Sequence, residues 1–193
     1  MSRALDAALA ALALAVAAPL LALAAIAIRL ESRGPVVFRQ RRVGLDGRPF
    51  DLWKLRTMVS GAEAMGAGIY VLEGDPRITR AGRLLRRFSL DELPNLVNVL
   101  RGEMAMVGPR PTVQEQVDGY TDRQRRRLEV KPGITGWAQV HGRASLPWPE
   151  RIELDVWYVD NRTLLLDLRI LLRTARMLLT GRGLYSDTLD QGW

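Results

Sequence analysis

The sequence predicts an α+β fold that is mainly α: a membrane-embedded N-terminal helix, a short β-hairpin, and a domain of short helices that ends in an amphipathic, interfacial helix. Three observations predict it. Ala7 to Ile28 contains no charged residue, an Asp46-Gly47 turn separates two short runs rich in β-branched and aromatic residues, and leucines and arginines recur at helical spacing between Thr163 and Thr180. With 193 residues, 48% of them hydrophobic and 25% charged, the chain can bury one modest core and carry an appendage. The division expected is residues 1–30 in the membrane and 31–193 as a cytoplasmic catalytic domain.

The first element is long enough for a bilayer, because roughly 22 helical residues extend about 33 Å. Pro19 interrupts its backbone ladder, so a kinked helix that enters one leaflet and returns competes with a simple span. A cleavable signal and a soluble core helix are the remaining readings. Arg29, Arg33, Arg39, Arg41, Arg42 and Arg48 follow at once, which places this side in the cytoplasm. The charge is one-sided: Arg3 and Asp6 cancel, so the whole net +7 belongs to residues 29–193, and Lys54 and Lys131 are the only lysines. Excess arginine suits phosphate or anionic lipid. It also suits nucleic acid, but no zinc-finger spacing, RNP-like motif or basic zipper is present.

Gly34-Pro35 breaks the chain before Val36-Val37-Phe38, and Phe50 to Leu55 returns as the second strand. Residues 59–76 read as a surface loop, and 77–87 and 94–100 as short helices. Between those helices stand Asp91 and Glu92, adjacent carboxylates among arginines. Holding both ionised favours a nearby cation, an arginine or Mg2+. A local reading competes: Ser89 to Glu92 has the spacing of a capping box. Pro94 complicates that register, and a helix starting at Pro94 is at least as good; in either register both acids sit at the positive end of a helix dipole, which keeps them anionic. Gly108-Pro109-Arg110-Pro111 is a rigid loop that fixes Arg110. From Thr112 the chain reads as helical, with Arg123, Arg125, Arg126 and Arg127 as a solvated or lipid-facing run. Residues 131–137 form a glycine-bearing loop, and the final helix sets Leu168, Leu171, Leu172, Ala175, Leu178 and Leu179 opposite Arg169, Arg173 and Arg176. The absence of cysteine excludes disulfides and thiolate chemistry; His141 is the only histidine, with no G-x-S-x-G elbow to serve.

In order and spacing these pieces resemble the small monotopic phosphoglycosyl transferases. The resemblance runs through Phe38-Arg39-Gln40, Val43-Gly44, Lys54-Leu55-Arg56-Thr57-Met58, Asp75-Pro76-Arg77-Ile78-Thr79 and Ser89-Leu90-Asp91-Glu92-Leu93-Pro94. It continues through Val107 to Pro111, Lys131 to Val140 and Leu154 to Val159. It implies transfer of a sugar-1-phosphate from a UDP-sugar to polyprenyl phosphate at the cytoplasmic face of the bacterial inner membrane. Asp91 would be the nucleophile and Mg2+ ligand, with UMP released and a covalent phosphosugar-aspartate intermediate; Glu92 would be its partner. Arg86 and Arg110 are the candidates for phosphate contacts, with Lys54, Gln139 and Arg143 lining the pocket, while Asp155 is left between structural and functional roles. The family's helix is re-entrant at a Ser-Pro pair, which is Ala18-Pro19 here. His141 stands where relatives usually carry asparagine, and is expected to be a neutral hydrogen-bonding substitute. A membrane-bound nucleotide-sugar hydrolase and a non-enzymatic basic module for anionic lipid or nucleic acid are the competing readings; nucleic acid is not expected as a partner. Sugar, carrier length, oligomeric state and glycan pathway are not specified by the sequence.

Overall fold

A computed structural model describes residues 1–65, 74–142 and 146–180. The first helix, α1 (Arg3–Glu31), is capped by Ser2, whose hydroxyl accepts from the Leu5 amide, and stays helical through Pro19. Alanine and leucine favour that state intrinsically. Asp6, Ala10, Ala24 and Ile28 are buried, a heptad-like stripe that docks the helix on the rest of the protein. The opposite stripe is exposed, with Val16 at 74% and Leu30 at 83%.

Both ends of α1 are tied down. Arg3 donates to the carbonyls of Val99 and Leu100, which lie in the last turn of α3 (Asn95–Arg101), the Val99 carbonyl accepting also from the Gly102 amide. Asp6 accepts from the Met106 amide at 3.0 Å. At the other end Glu31 accepts from the Arg80 and Ala81 amides, the free donors that open α2 (Arg80–Arg87).

Strands β1 (Val37–Val43) and β2 (Pro49–Leu55) form the expected antiparallel hairpin, in register from Val37↔Leu55 to Val43↔Pro49. Asp46 and Gly47 turn it with positive φ, which aspartate tolerates better than most side chains. Phe50 and Leu52 enter a core with Ala10, Leu96, Val99 and Met104. Strands β3 (Ala105–Val107) and β4 (Gly133–Thr135) make a second, parallel pair that the sequence reading missed, having assigned residues 131–137 to a loop and no element to 105–107.

Short helices α4 (Gln114–Asp118), α5 (Asp122–Arg125) and α6 (Trp137–Val140) lead to α7 (Trp148–Asn161) and α8 (Leu164–Thr180). On α8 the buried positions are Leu166, Asp167 and Ile170, whereas Leu165, Leu168 and Leu172 are exposed. Of the leucine face singled out in the sequence, Leu168, Leu172 and Leu178 are outward, whereas Leu171 packs against the core.

Two expectations are corrected. The helix expected over 77–87 begins at Arg80, because Ile78 bridges to Met58 and Thr79 caps α2 by accepting from the Gly82 amide. The arginine run of 123–127 is not uniformly solvated. Arg123 and Arg126 reach Glu153 and Asp160 on α7, but Arg127 points inward and is buried against Asp155. Helical turns send roughly one residue in four to the inner side, and Arg127 falls there.

Candidate functional site

Asp91 and Glu92 lie in a single 3-10 turn, Leu90–Glu92, immediately ahead of α3. Ser89 has φ 54° and makes no side-chain capping bond, so the capping-box alternative does not form. Pro94 stands at the N-cap of α3, close to the expected helix start. Asn98, fully buried, locks this helix to the hairpin: its amide nitrogen donates to the Asp51 carbonyl and to Glu103, and its oxygen accepts from the Trp53 amide at 3.1 Å. The strand carrying Lys54 is thereby held beside the turn carrying the acids.

Glu92 is the hub. One of its oxygens, Oε1, accepts from Lys54 Nζ at 3.3 Å and from Arg110 Nη2 at 2.6 Å. Asp91 makes no hydrogen bond or ion pair among the described residues. Burial pushes the Asp91 carboxyl above its ordinary range, and the Glu92 charge adds to the push; Lys54, Arg86 and Arg110 pull the other way. This corrects the expectation of a dipole-stabilised anion: α3 has seven residues, and desolvation outweighs its end. Lys54 is itself held below its ordinary value by burial, with Glu92 opposing, while Glu92 raises Arg110.

The hairpin supplies a further cation that the sequence reading missed. Cross-strand partners share a face, so Gln40 and Arg42 project on the same side as Lys54. Arg42 donates through Nε and Nη2 to Gln40 Oε1, and Gln40 donates in turn to Glu63. Burial, with Arg110 nearby, lowers Arg42 to about 10, and Glu92 acts against that shift. The signal was present: alternation along β1 pairs 40 and 42 with the face of Lys54.

Arg110 is held from behind. Arg127 donates to the Arg110 carbonyl at 2.9 Å, to Asp155 and to the Tyr120 hydroxyl, and its guanidinium lies over the Trp148 ring. Burial pushes Asp155 up to about 6 against the pull of Arg127. Asp155 thus acts on the loop that carries Arg110. Glycines set the path of that loop: a Cβ at Gly108 would lie 2.3 Å from the Lys131 carbonyl, and one at Gly133 2.1 Å from the Gly108 nitrogen. Only glycine allows that approach.

The other expected site residues are less central. Arg86 donates to the Thr57 hydroxyl at 2.8 Å and contributes to the field at Asp91. Gln139 is buried beside Gly136, its amide atoms have no partner, and no hydrogen bond joins it to the acidic pair among the described residues. Arg143 lies outside the described residues. His141 accepts at Nε2 from Arg173, so its Nδ1–H donates to the Trp137 carbonyl; this is the neutral tautomer expected.

A half-buried carboxylate with no side-chain partner among the described residues, in the field of Lys54, Arg86 and Arg110, is suited to attack on, or coordination around, a phosphate group. No cluster of three or more histidine, cysteine or acidic side chains occurs among the described residues. Mg2+ commonly takes one or two carboxylates and completes its shell with water and substrate phosphate, so Asp91 fits that ion.

Comparison with known proteins bears on the same point. The family model described as bacterial sugar transferase matches residues 1–181. The chain is 49% identical over 157 residues to the uncharacterized sugar transferase EpsL of Bacillus subtilis, covering 81% of this chain and 76% of that protein. It is 47% identical over 191 residues to a UDP-glucose:undecaprenyl-phosphate glucose-1-phosphate transferase of Caulobacter vibrioides, covering 95% and 71%. A UDP-N-acetylgalactosamine-undecaprenyl-phosphate N-acetylgalactosaminephosphotransferase of Aeromonas hydrophila is 42% identical over 190 residues, covering 95% of this chain and 44% of that protein.

Proposed function

The chain belongs to the bacterial sugar transferase family, and we propose that it moves a sugar-1-phosphate from a UDP-sugar to polyprenyl phosphate. The observation that carries this reading is the division of labour in the acidic pair: Glu92 gathers Lys54 and Arg110 on one oxygen, and Asp91 beside it is uncommitted.

The Asp91 carboxylate attacks the phosphorus that bears the sugar. The bond from that phosphorus to the oxygen of the leaving UMP breaks, and the phosphosugar remains on Asp91. A phosphate oxygen of the polyprenyl carrier then attacks the same phosphorus and displaces the carboxylate, which restores the enzyme. Lys54, Arg86, Arg110 and Arg42 neutralise the diphosphate, a role that matters most in a site screened from water. Mg2+ held at Asp91 with the diphosphate oxygens would supply further charge neutralisation. Gln40 aims Arg42, and the Arg127–Asp155 pair fixes the loop of Arg110.

The membrane arrangement we infer is monotopic, with α1 re-entrant at Ala18-Pro19 and α8 at the interface. Attachment of both ends of α1 to one body, through Arg3 and Asp6 and through Glu31, supports this over a perpendicular span. The exposed leucines of α8 support the interfacial role. Nucleotide sugars are cytoplasmic, and the arginines after α1 put the catalytic domain on that face of the inner membrane.

The decisive assay follows UMP release from a panel of UDP-sugars with and without polyprenyl phosphate. Transfer predicts catalytic turnover only with the carrier and a polyprenyl diphosphate sugar as product. Turnover to free sugar phosphate without carrier would make the protein a hydrolase.

A further inference from the structure

A second polar cavity, of about 480 Å³, opens where the N-terminal end of α1 meets β3 and the α7–α8 junction. None of the residues around the acidic pair lines it. Most charged groups in its wall already have partners. Asp6 accepts from the Met106 amide, Asp167 accepts from the Tyr158 hydroxyl and pairs with the Met1 amino group, and Arg3 is spent on two carbonyls. Glu129 faces Arg126 at 3.4 Å.

Two cations in the wall differ. Lys131 and Arg162 make no hydrogen bond or ion pair among the described residues. The two charged side chains of the wall left without a partner among the described residues are therefore both cations. Its rim is apolar on one side: Leu164 lines it and is half-exposed, Leu165 follows, and Leu5 on α1 starts the outward stripe that continues through Leu12 and Val16.

We propose that this cavity binds the phosphate head group of an anionic membrane lipid, with Lys131 and Arg162 as its ligands and the acyl chains along Leu164, Leu165 and the outer face of α1. A free anion would use the cations alone; the apolar rim, continuous with α1, selects an amphiphile. Such a lipid would wedge between the start of α1 and the start of α8, holding the two apolar faces in one arrangement. This goes beyond the reaction at Asp91 and does not depend on it.

The full chain, titrated calorimetrically with short-chain phosphatidylglycerol below its micellar concentration, tests the site. Saturable binding is expected, with inorganic phosphate about tenfold weaker or more and short-chain phosphatidylcholine not binding. Lys131→Gln with Arg162→Gln should weaken the phosphatidylglycerol affinity by about tenfold or more. A charge-matched pair that does not line the cavity, Arg41→Gln with Arg125→Gln, should leave it unchanged, and so should Asp91→Asn. If circular dichroism shows the double variant unfolded, Arg162→Gln alone, at an exposed position, is expected to show a smaller loss in the same direction. Equal affinity for phosphate and phosphatidylglycerol would overturn the lipid assignment. Equal losses from the two charge-matched pairs, or no saturable binding, would overturn the site.

Discussion

Glu92 holds two cations on one carboxylate oxygen, and its charge also raises the neighbouring Asp91. In the proposed reaction the attacking form of Asp91 is the anion. Because its folded-state pKa is raised, that anion is lost at a higher pH than for an ordinary carboxylate as the solution is acidified. The acid limb of kcat/KM for UMP release is therefore expected above the usual carboxylate range. Glu92→Gln removes the like charge and frees Lys54 and Arg110 to act on Asp91, so the limb should move to lower pH while activity falls; a limb that stayed or rose would contradict the coupling. Arg42 gives a second test. Among the described residues its side-chain hydrogen bonds go to Gln40 alone, so Arg42→Ala should leave the melting temperature nearly unchanged and lower kcat/KM by about 10–100-fold, the value of a charge-assisted contact to substrate. Unchanged kcat/KM would remove Arg42 from the site. The acidic pair, Lys54 and Arg110 were legible as sequence because they stand in short, ordered motifs. Arg42 was not singled out, since one arginine among the six from Arg29 to Arg48 is distinguished only by which strand face it takes.

Elements meet at the buried Arg127–Asp155 pair, which joins the segment after α5 to α7 and reaches the loop after β3. Removing one partner of such a pair leaves a charge uncompensated in the interior. Arg127→Gln is accordingly expected to lower unfolding stability by about 3–5 kcal/mol, read from urea melts, and to loosen Arg110. A loss under about 1 kcal/mol, the range of exposed pairs, would mean the pair is not dry. Sequence marked the arginine run but not its inward member, because helical phase depends on where α5 starts and on the turn that follows it. The hairpin was readable from its turn and its alternating strands. The β3–β4 pair was not: three residues each, joined across 25 residues of intervening chain, carry no periodicity that distinguishes them from loop. Its signature lies instead in Gly108, Gly133 and Gly136, whose meaning appears only when their backbones touch.

At the scale of the whole molecule, α1 is both the most apolar element and one docked at its two ends, through Asp6 and Ala10 and through Ala24 and Ile28. Composition announced the helix; that both ends rest on one body needed the long-range bonds of Arg3, Asp6 and Glu31. The chain has no cysteine, so single cysteines placed at Ser2 and Ser32 report topology cleanly. Both should react with an impermeant maleimide from the same, cytoplasmic side of inverted vesicles; opposite sides would establish a span. Leu168→Glu with Leu172→Glu, on the outward face of α8, should reduce vesicle association with little change in unfolding stability, within about 0.5 kcal/mol, as for exposed positions elsewhere. Loss of stability instead would mark that face as core. The proposed membrane placement and the acidic pair together describe an enzyme that would park a phosphosugar on itself before passing it to a lipid. The most direct measurement is the intact mass of the protein after incubation with Mg2+ and its UDP-sugar, without polyprenyl phosphate. A gain of one phosphosugar, mapped to Asp91, matched by one UMP and discharged on adding the carrier, is predicted. No adduct, together with full turnover by Asp91→Asn, would contradict it.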